Sequence, residues 1–202
     1  MSLMIKDFSV IYRDGDHSIQ AVEEATLAVK RGQCLALVGE SGSGKTTLGK
    51  ACLGLLPENA ETTGRIFLND REIDFADETA LNQMRWQKIS MVFQNGAETL
   101  NPAYRIIDQV AEPVMKKGGK NGKSALKQAS RALFDMGLPE SCHGRYPHQL
   151  SGGQVQRSLL AMATILDPDI LILDEPTSAL DALNKNVVGA MIGDYRKRGK
   201  GI

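Results

Sequence analysis

Residues 38–47 read VGESGSGKTT, three glycines and two serines ahead of one lysine, with two threonines after it. Gly39, Glu40, Ser41, Gly42, Ser43, Gly44, Lys45 and Thr46 fit the spacing G-x-x-x-x-G-K-[ST], with Thr47 next in line. Glycines let the main chain curl until successive N–H groups point inward, an anion nest at the start of a helix. Lys45 adds a mobile positive charge for outer phosphates, and the Thr46 hydroxyl is a magnesium ligand of the right hardness. The chemistry this cluster suits is nucleotide binding. A second cluster lies downstream, where DILILDEP ends on Asp174 and Glu175. Adjacent carboxylates at the carboxyl end of a buried strand sit where open α/β sheets hold ligands. Asp174 is expected to hold magnesium through its water shell, and Glu175 to polarise an attacking water as general base.

Several elements must position these residues. FSVIY and EATLAVK alternate like strands, and CLALVG, just before the glycine loop, reads as a strand buried on both faces. TTLGKACLGLL has apolar residues at helical spacing, closed by Pro57. GRIFLND and KISMVFQ read as further strands. A helix-rich stretch follows from about Leu100 to Met162. Within it KSALKQASRALFDMG places Leu126, Ala129, Leu133 and Met136 on one face, with Gly137 as the stop. KKGGKNGK is a loop, CHGRYPH is read as a loop without metal, and DALNKNVVGAMIGDYRKRG is a helix with basic residues in its last turn. Strands and helices alternate around a helical block, an α/β class.

Composition narrows the options. The 202 residues are 42% hydrophobic and 24% charged, with 24 basic and 24 acidic side chains, so the formal net charge is zero. A broad basic footprint for nucleic acid is not expected, because such binding neutralises many phosphates from one face. No apolar run approaches the roughly 20 residues that span a bilayer. The opening MSLMIKDFSVIY lacks the basic-then-apolar order of a signal peptide. Cys34, Cys52 and Cys142 form no C-x-x-C pair and are expected to be reduced thiols.

LSGGQVQR, residues 150–157, puts a serine and two glycines before a helical run, a second anion nest at a second helix start. With the phosphate loop and ILDEP, in this order, it resembles the nucleotide-binding subunits of ATP-binding-cassette (ABC) transporters over almost the whole chain. The resemblance implies a P-loop NTPase core with an N-terminal antiparallel β subdomain and an inserted helical subdomain. Residues 1–94 and 163–202 would form the core and β subdomain, and residues 95–162 the helical part carrying the signature. ATP and Mg2+ follow as ligands, with ATP hydrolysis coupled to transport.

Site residues carry over one at a time. Tyr12 stands where the family stacks an aromatic on adenine. Gln94 stands at the glutamine loop, which touches magnesium and the water and faces the membrane partner. Ser151, Gly152, Gly153 and Gln154 would clamp the γ-phosphate of ATP held by a partner's phosphate loop. Asp181, in SALD, matches the loop that crosses the dimer interface. The implied partners are a second cassette, identical or paralogous, membrane permease subunits and, indirectly, a substrate-binding protein, at the cytoplasmic face of the membrane.

AVEEATLAVKRGQCLALVGESGSGKTT, FQNGAETLNP and RYPHQLSGGQ are similar to the peptide and nickel importers of this family. Asn95-Gly96 departs from their acidic residue and proline. Met91, Phe93 and the 95–102 loop are expected to receive a coupling helix of the membrane subunit. The family's next landmark is a histidine closing a further strand, and the sequence ends at RGKGI before it. The expectation is a piece of a longer chain, since losing a central strand costs about 1–3 kcal/mol for each buried group left unpaired. Two other readings stay open: a cassette acting on DNA or ribosomes, and a nucleotide switch that pairs without hydrolysis.

Overall fold

Alternation in the first thirty residues builds a hairpin. Strand β1, Leu3–Asp14, pairs antiparallel with β2, His17–Val29, and on its other side with β3, Ala60–Leu68, which carries the short β4, Arg71–Glu72. The computed structural model describes residues 3–94, 96–176 and 182–202, without the side chains of 97 and 182–184. The strand order is β2-β1-β3-β4. Leu3, Ile5, Phe8 and Val10 are the buried face of β1. The step from Ile5 to Phe8 breaks the two-residue period, and a bulge at Asp7, at φ 46°, restores the face. Opposite the bulge, a side chain on Gly64 would put its Cβ 2.2 Å from Asp7 O, so only glycine fits. Asp7 Oδ1 accepts from Thr26 Oγ1 at 2.9 Å, which pins the bulge to β2.

Two compact units divide the chain: residues 1–85 with 195–202, and residues 86–194. The first holds the antiparallel sheet, α1, Lys45–Ala51, and α2, Glu78–Met84. Arg85 closes α2 by donating to Leu53 O at 2.8 Å and Gly54 O at 3.0 Å. The second holds a parallel pair, β5, Ile89–Val92, and β6, Ile170–Leu173, in the register Ile89↔Ile170 to Val92↔Leu173. Between these strands in sequence lie α3, Ile106–Lys116, α4, Gly122–Asp135, α5, Glu140–His143, and α6, Gly152–Thr164. Helix α7, Ala182–Lys197, ends on Arg196 and Lys197, cations suited to its C-terminal dipole. Among the described residues, no helix is long and apolar enough to cross a membrane.

Three expectations are corrected by the structure. CLALVG is not a strand: residues 33–40 have no regular structure, with Leu37 48% and Val38 94% exposed. Among the described residues its main chain meets Ile202, whose N–H donates to Gln33 O at 3.0 Å and whose carbonyl accepts from Leu35 N at 2.8 Å. An apolar run becomes a buried strand only when neighbouring strands satisfy its main chain along its length. On α4 the buried stripe is Ala125, Ala129 and Leu133, whereas Leu126 is 37% exposed. Ala129 and Leu133 lie on the predicted face, and Ala125 takes the buried place expected of Leu126, in an i, i+4 stripe. The loop read at CHGRYPH also contains α5, and both Cys142 and His143 are buried.

Candidate functional site

The glycines of the phosphate loop set its shape. Gly44 caps α1 at φ 84°, and a Cβ there would lie 2.1 Å from Ala21 O, so the loop meets β2 main chain to main chain. A Cβ on Gly39 would lie 2.8 Å from Ser43 Oγ, inside the curl. Residues 39–43 are exposed. Lys45 Nζ bends back over the rim and donates to Gly39 O at 2.8 Å, Glu40 O at 2.6 Å and Ser43 Oγ at 3.2 Å. The ammonium is thus fixed above an open curl of main chain, and an arriving phosphate exchanges weak carbonyl acceptors for charged oxygens. That is a cradle of the right chemistry for a polyphosphate. Tyr12 donates from its hydroxyl to Thr47 Oγ1 at 3.3 Å, which ties β1 to the first turn of α1.

In the second unit the carboxylates follow β6. Asp174 N donates to Val92 O at 2.9 Å and carries the parallel pairing one residue beyond the strand. The Asp174 side chain is buried, at 9% exposure, while Glu175 is exposed. Glu175 takes φ 47°, unusual for a residue with a Cβ and costing about 1 kcal/mol or more. Gln156 on α6 reaches Pro176 O at 3.3 Å and fixes the chain just past this turn. Gln94, two residues after β5, donates from Nε2 to Glu175 Oε2 at 2.7 Å. Parallel pairing brings the ends of β5 and β6 level, so an amide and a carboxylate 81 residues apart meet.

The signature turn is a complete capping box at the start of α6. Ser151 Oγ accepts from Gln154 N at 3.3 Å, and Gln154 Oε1 accepts from Ser151 N at 3.0 Å. Gly152 follows exposed, so the first N–H groups of the helix face solvent with little side chain in the way. Arg157 braces the turn from behind, donating to Gly153 O at 3.3 Å and Gly137 O at 2.9 Å.

A model of ABC transporters matches residues 22–178 of this chain, a span that includes the phosphate loop, the signature and the carboxylates. The chain belongs to the ABC transporter family. The oligopeptide transport ATP-binding protein OppD of Mycobacterium tuberculosis is 36% identical over 99% of this chain and 32% of its own length. OppD of Escherichia coli is 35% identical over 96% of this chain and 58% of its own, and the dipeptide transport protein DppD of Lactococcus lactis 36% over 97% and 57%. The chain therefore spans between a third and rather more than half of these relatives' lengths. A solved dimeric cassette, MJ0796, in a post-hydrolysis state with ADP and Pi, superposes with TM-score 0.88 at 29% identity, covering 98% of this chain and 84% of that one. The expected fold, a P-loop cassette with an antiparallel β part and a helical part, is borne out, and a nucleotide is the ligand of such a cassette.

The second unit has a groove of about 350 Å³ lined by Met91, Phe93, Thr99, Pro113, Leu159 and Met162 among others. Gln109, a buried side chain that belongs to no sequence motif, is part of its wall. Gln109 accepts from Asn101 N at 2.8 Å and donates to Asn101 O and Tyr104 O, both at 3.0 Å, so one amide shapes the loop that follows the glutamine. Only its apolar neighbours, Ile106 and Val110, could have flagged it as a polar residue on a buried face. His143 is a satisfied core histidine, its ring nitrogens facing Leu138 O at 3.1 Å and Ser130 Oγ at 3.3 Å. Asp181 and Asn95 lie outside the described residues.

Proposed function

We propose that this chain is the ATP-hydrolysing part of an importer's cassette and that the importer carries peptides. The reading rests above all on the hydrogen bond from Gln94 to Glu175, which holds one specific carboxylate at the strand end where the family performs hydrolysis. The peptide class comes from the relatives, whose names are oligopeptide and dipeptide transport proteins.

In this reading Lys45 and the main chain of residues 39–47 hold the phosphates, and Tyr12 supports the adenine. Glu175 takes a proton from the attacking water, and Gln94 keeps its carboxylate aimed. Thr46, Gln94 and Asp174 are the proposed magnesium ligands, a hydroxyl, an amide oxygen and a carboxylate, all hard oxygen donors. When bound, the metal supplies charge neutralisation for the phosphates. Ser151, Gly152, Gly153 and Gln154 serve the phosphate held by a partner cassette, and Asp181 belongs to the face between the two. Residues 95–162 form the helical insertion in a core of residues 1–94 and 163–202. The groove at Met91 and Phe93 takes the permease, at the cytoplasmic face of the membrane.

The test is reconstitution in vesicles with a two-subunit permease and a peptide-binding protein. Peptide uptake that needs ATP and stops with Lys45→Ala supports the reading. ATP turnover that ignores both permease and peptide contradicts the transport part of it.

A further inference from the structure

Behind the signature turn, Gln154 uses both ends of one amide. Its Oε1 accepts from Ser151 N at 3.0 Å, and its Nε2 donates to Cys142 Sγ at 3.6 Å, an ordinary length for a sulfur acceptor. The first contact decides the second: a main-chain N–H needs the oxygen, so the NH2 end must face the thiol. Cys142 is 2% exposed, on a helix anchored by its neighbour His143 through Leu138 O and Ser130 Oγ. The sulfur is therefore a fixed point and not a swinging side chain.

We propose that Cys142 is a positioning residue of the signature turn. Its thiol sets the Gln154 amide, and the amide sets the Ser151 main chain. Ser151 Oγ, already accepting from Gln154 N, then keeps its own O–H free to donate outward to a phosphate oxygen. This deepens the function proposed above and rests on it for the phosphate. The hydrogen-bond chain itself belongs to these residues alone. A cysteine that merely fills space would be replaced without loss by an apolar residue of similar volume. A cysteine that accepts a hydrogen bond would not.

The experiment compares the full chain with Cys142→Ala, apolar and slightly smaller, Cys142→Val, apolar and slightly larger, and Cys142→Ser, which keeps an acceptor. Amide hydrogen exchange is read residue by residue by NMR. In Cys142→Val and Cys142→Ala the Ser151 amide should exchange roughly fivefold faster, the size of one lost hydrogen bond, with Leu159 to Ala163 unchanged. Cys142→Ser should recover most of the protection. Unchanged Ser151 exchange in the valine variant, or a serine variant as fast as valine, overturns the proposal. ATP-driven pairing of two copies is measured alongside, with Ser151→Ala as reference. If Ser151→Ala pairs normally, the signature reading fails while the exchange result still judges Cys142. If Ser151→Ala does not pair and Cys142→Val pairs and exchanges like the wild type, the positioning role is refuted.

Discussion

Gln94 Nε2 lies 2.7 Å from Glu175 Oε2, joining the residue that leaves β5 to the carboxylate that leaves β6. An amide NH2 can only donate, so it restricts the Glu175 carboxylate without contributing a proton of its own. Oε2 of Glu175 is the oxygen that accepts from Gln94. In the proposed role of general base Glu175 must be held in place, and a strained main chain with a side-chain tether does so.

Gln94→Ala should therefore damage turnover more than binding. Phosphate release is expected to fall by about 10- to 100-fold with the KM for ATP within about twofold of wild type. Steady-state kinetics on the two proteins check it. An unchanged rate would mean that Glu175 is oriented by something else.

Lys45→Ala removes a charge from the rim of the phosphate loop and frees three acceptors that the ammonium now satisfies. ATP affinity should fall by about 100-fold or more, since charge-assisted hydrogen bonds to phosphate are lost. Calorimetric titration with magnesium-ATP reads this directly.

Gly44→Ala tests the close approach of loop and β2. With φ at 84° and a Cβ only 2.1 Å from Ala21 O, the loop must move or the hairpin must. A loss of about 3 kcal/mol or more is expected from urea unfolding, the range of a severe backbone conflict, together with loss of nucleotide binding.

Cys52 closes α1 from inside the core, 2% exposed. Burial pushes its thiol up from 9.0 to about 12. The folded state then holds a proton that the unfolded state releases above pH 9.0, so the thiol's contribution is full below that value and declines toward pH about 12. Stability should fall by up to about 1.4 kcal/mol per pH unit more steeply in the wild type than in Cys52→Ala within this window. Urea midpoints measured across it for both proteins settle the slope. Cys34, exposed, should react with iodoacetamide in the folded protein while Cys52 does not.

What the sequence made legible was local. The phosphate loop, the signature cap and the carboxylate pair are each written in a few adjacent residues whose geometry follows from glycine, a capping hydroxyl or a strand end. Contacts made across the chain were not legible. Nothing in CLALVG says whether strands will flank it, and the same apolar run that would be a core strand is an irregular, largely exposed segment whose Leu35 N–H meets Ile202 O. On α4 Ala129 and Leu133 were legible, but Ala125 and Leu126 are equally apolar in pattern, and only packing chooses alanine. Gln109 was marked only by its apolar neighbours and Cys142 by nothing, since a single amide or thiol reveals its partners only after the helices meet.

The central claim is that Glu175 is the base that spends the bound ATP. Magnesium-ATP binding and steady-state phosphate release, measured on the chain and on Glu175→Gln, test it most directly. The account predicts equal binding by both proteins and release that drops by about 100-fold or more in the variant, the size of a lost general base. Release that continues at the wild-type rate in Glu175→Gln would contradict it.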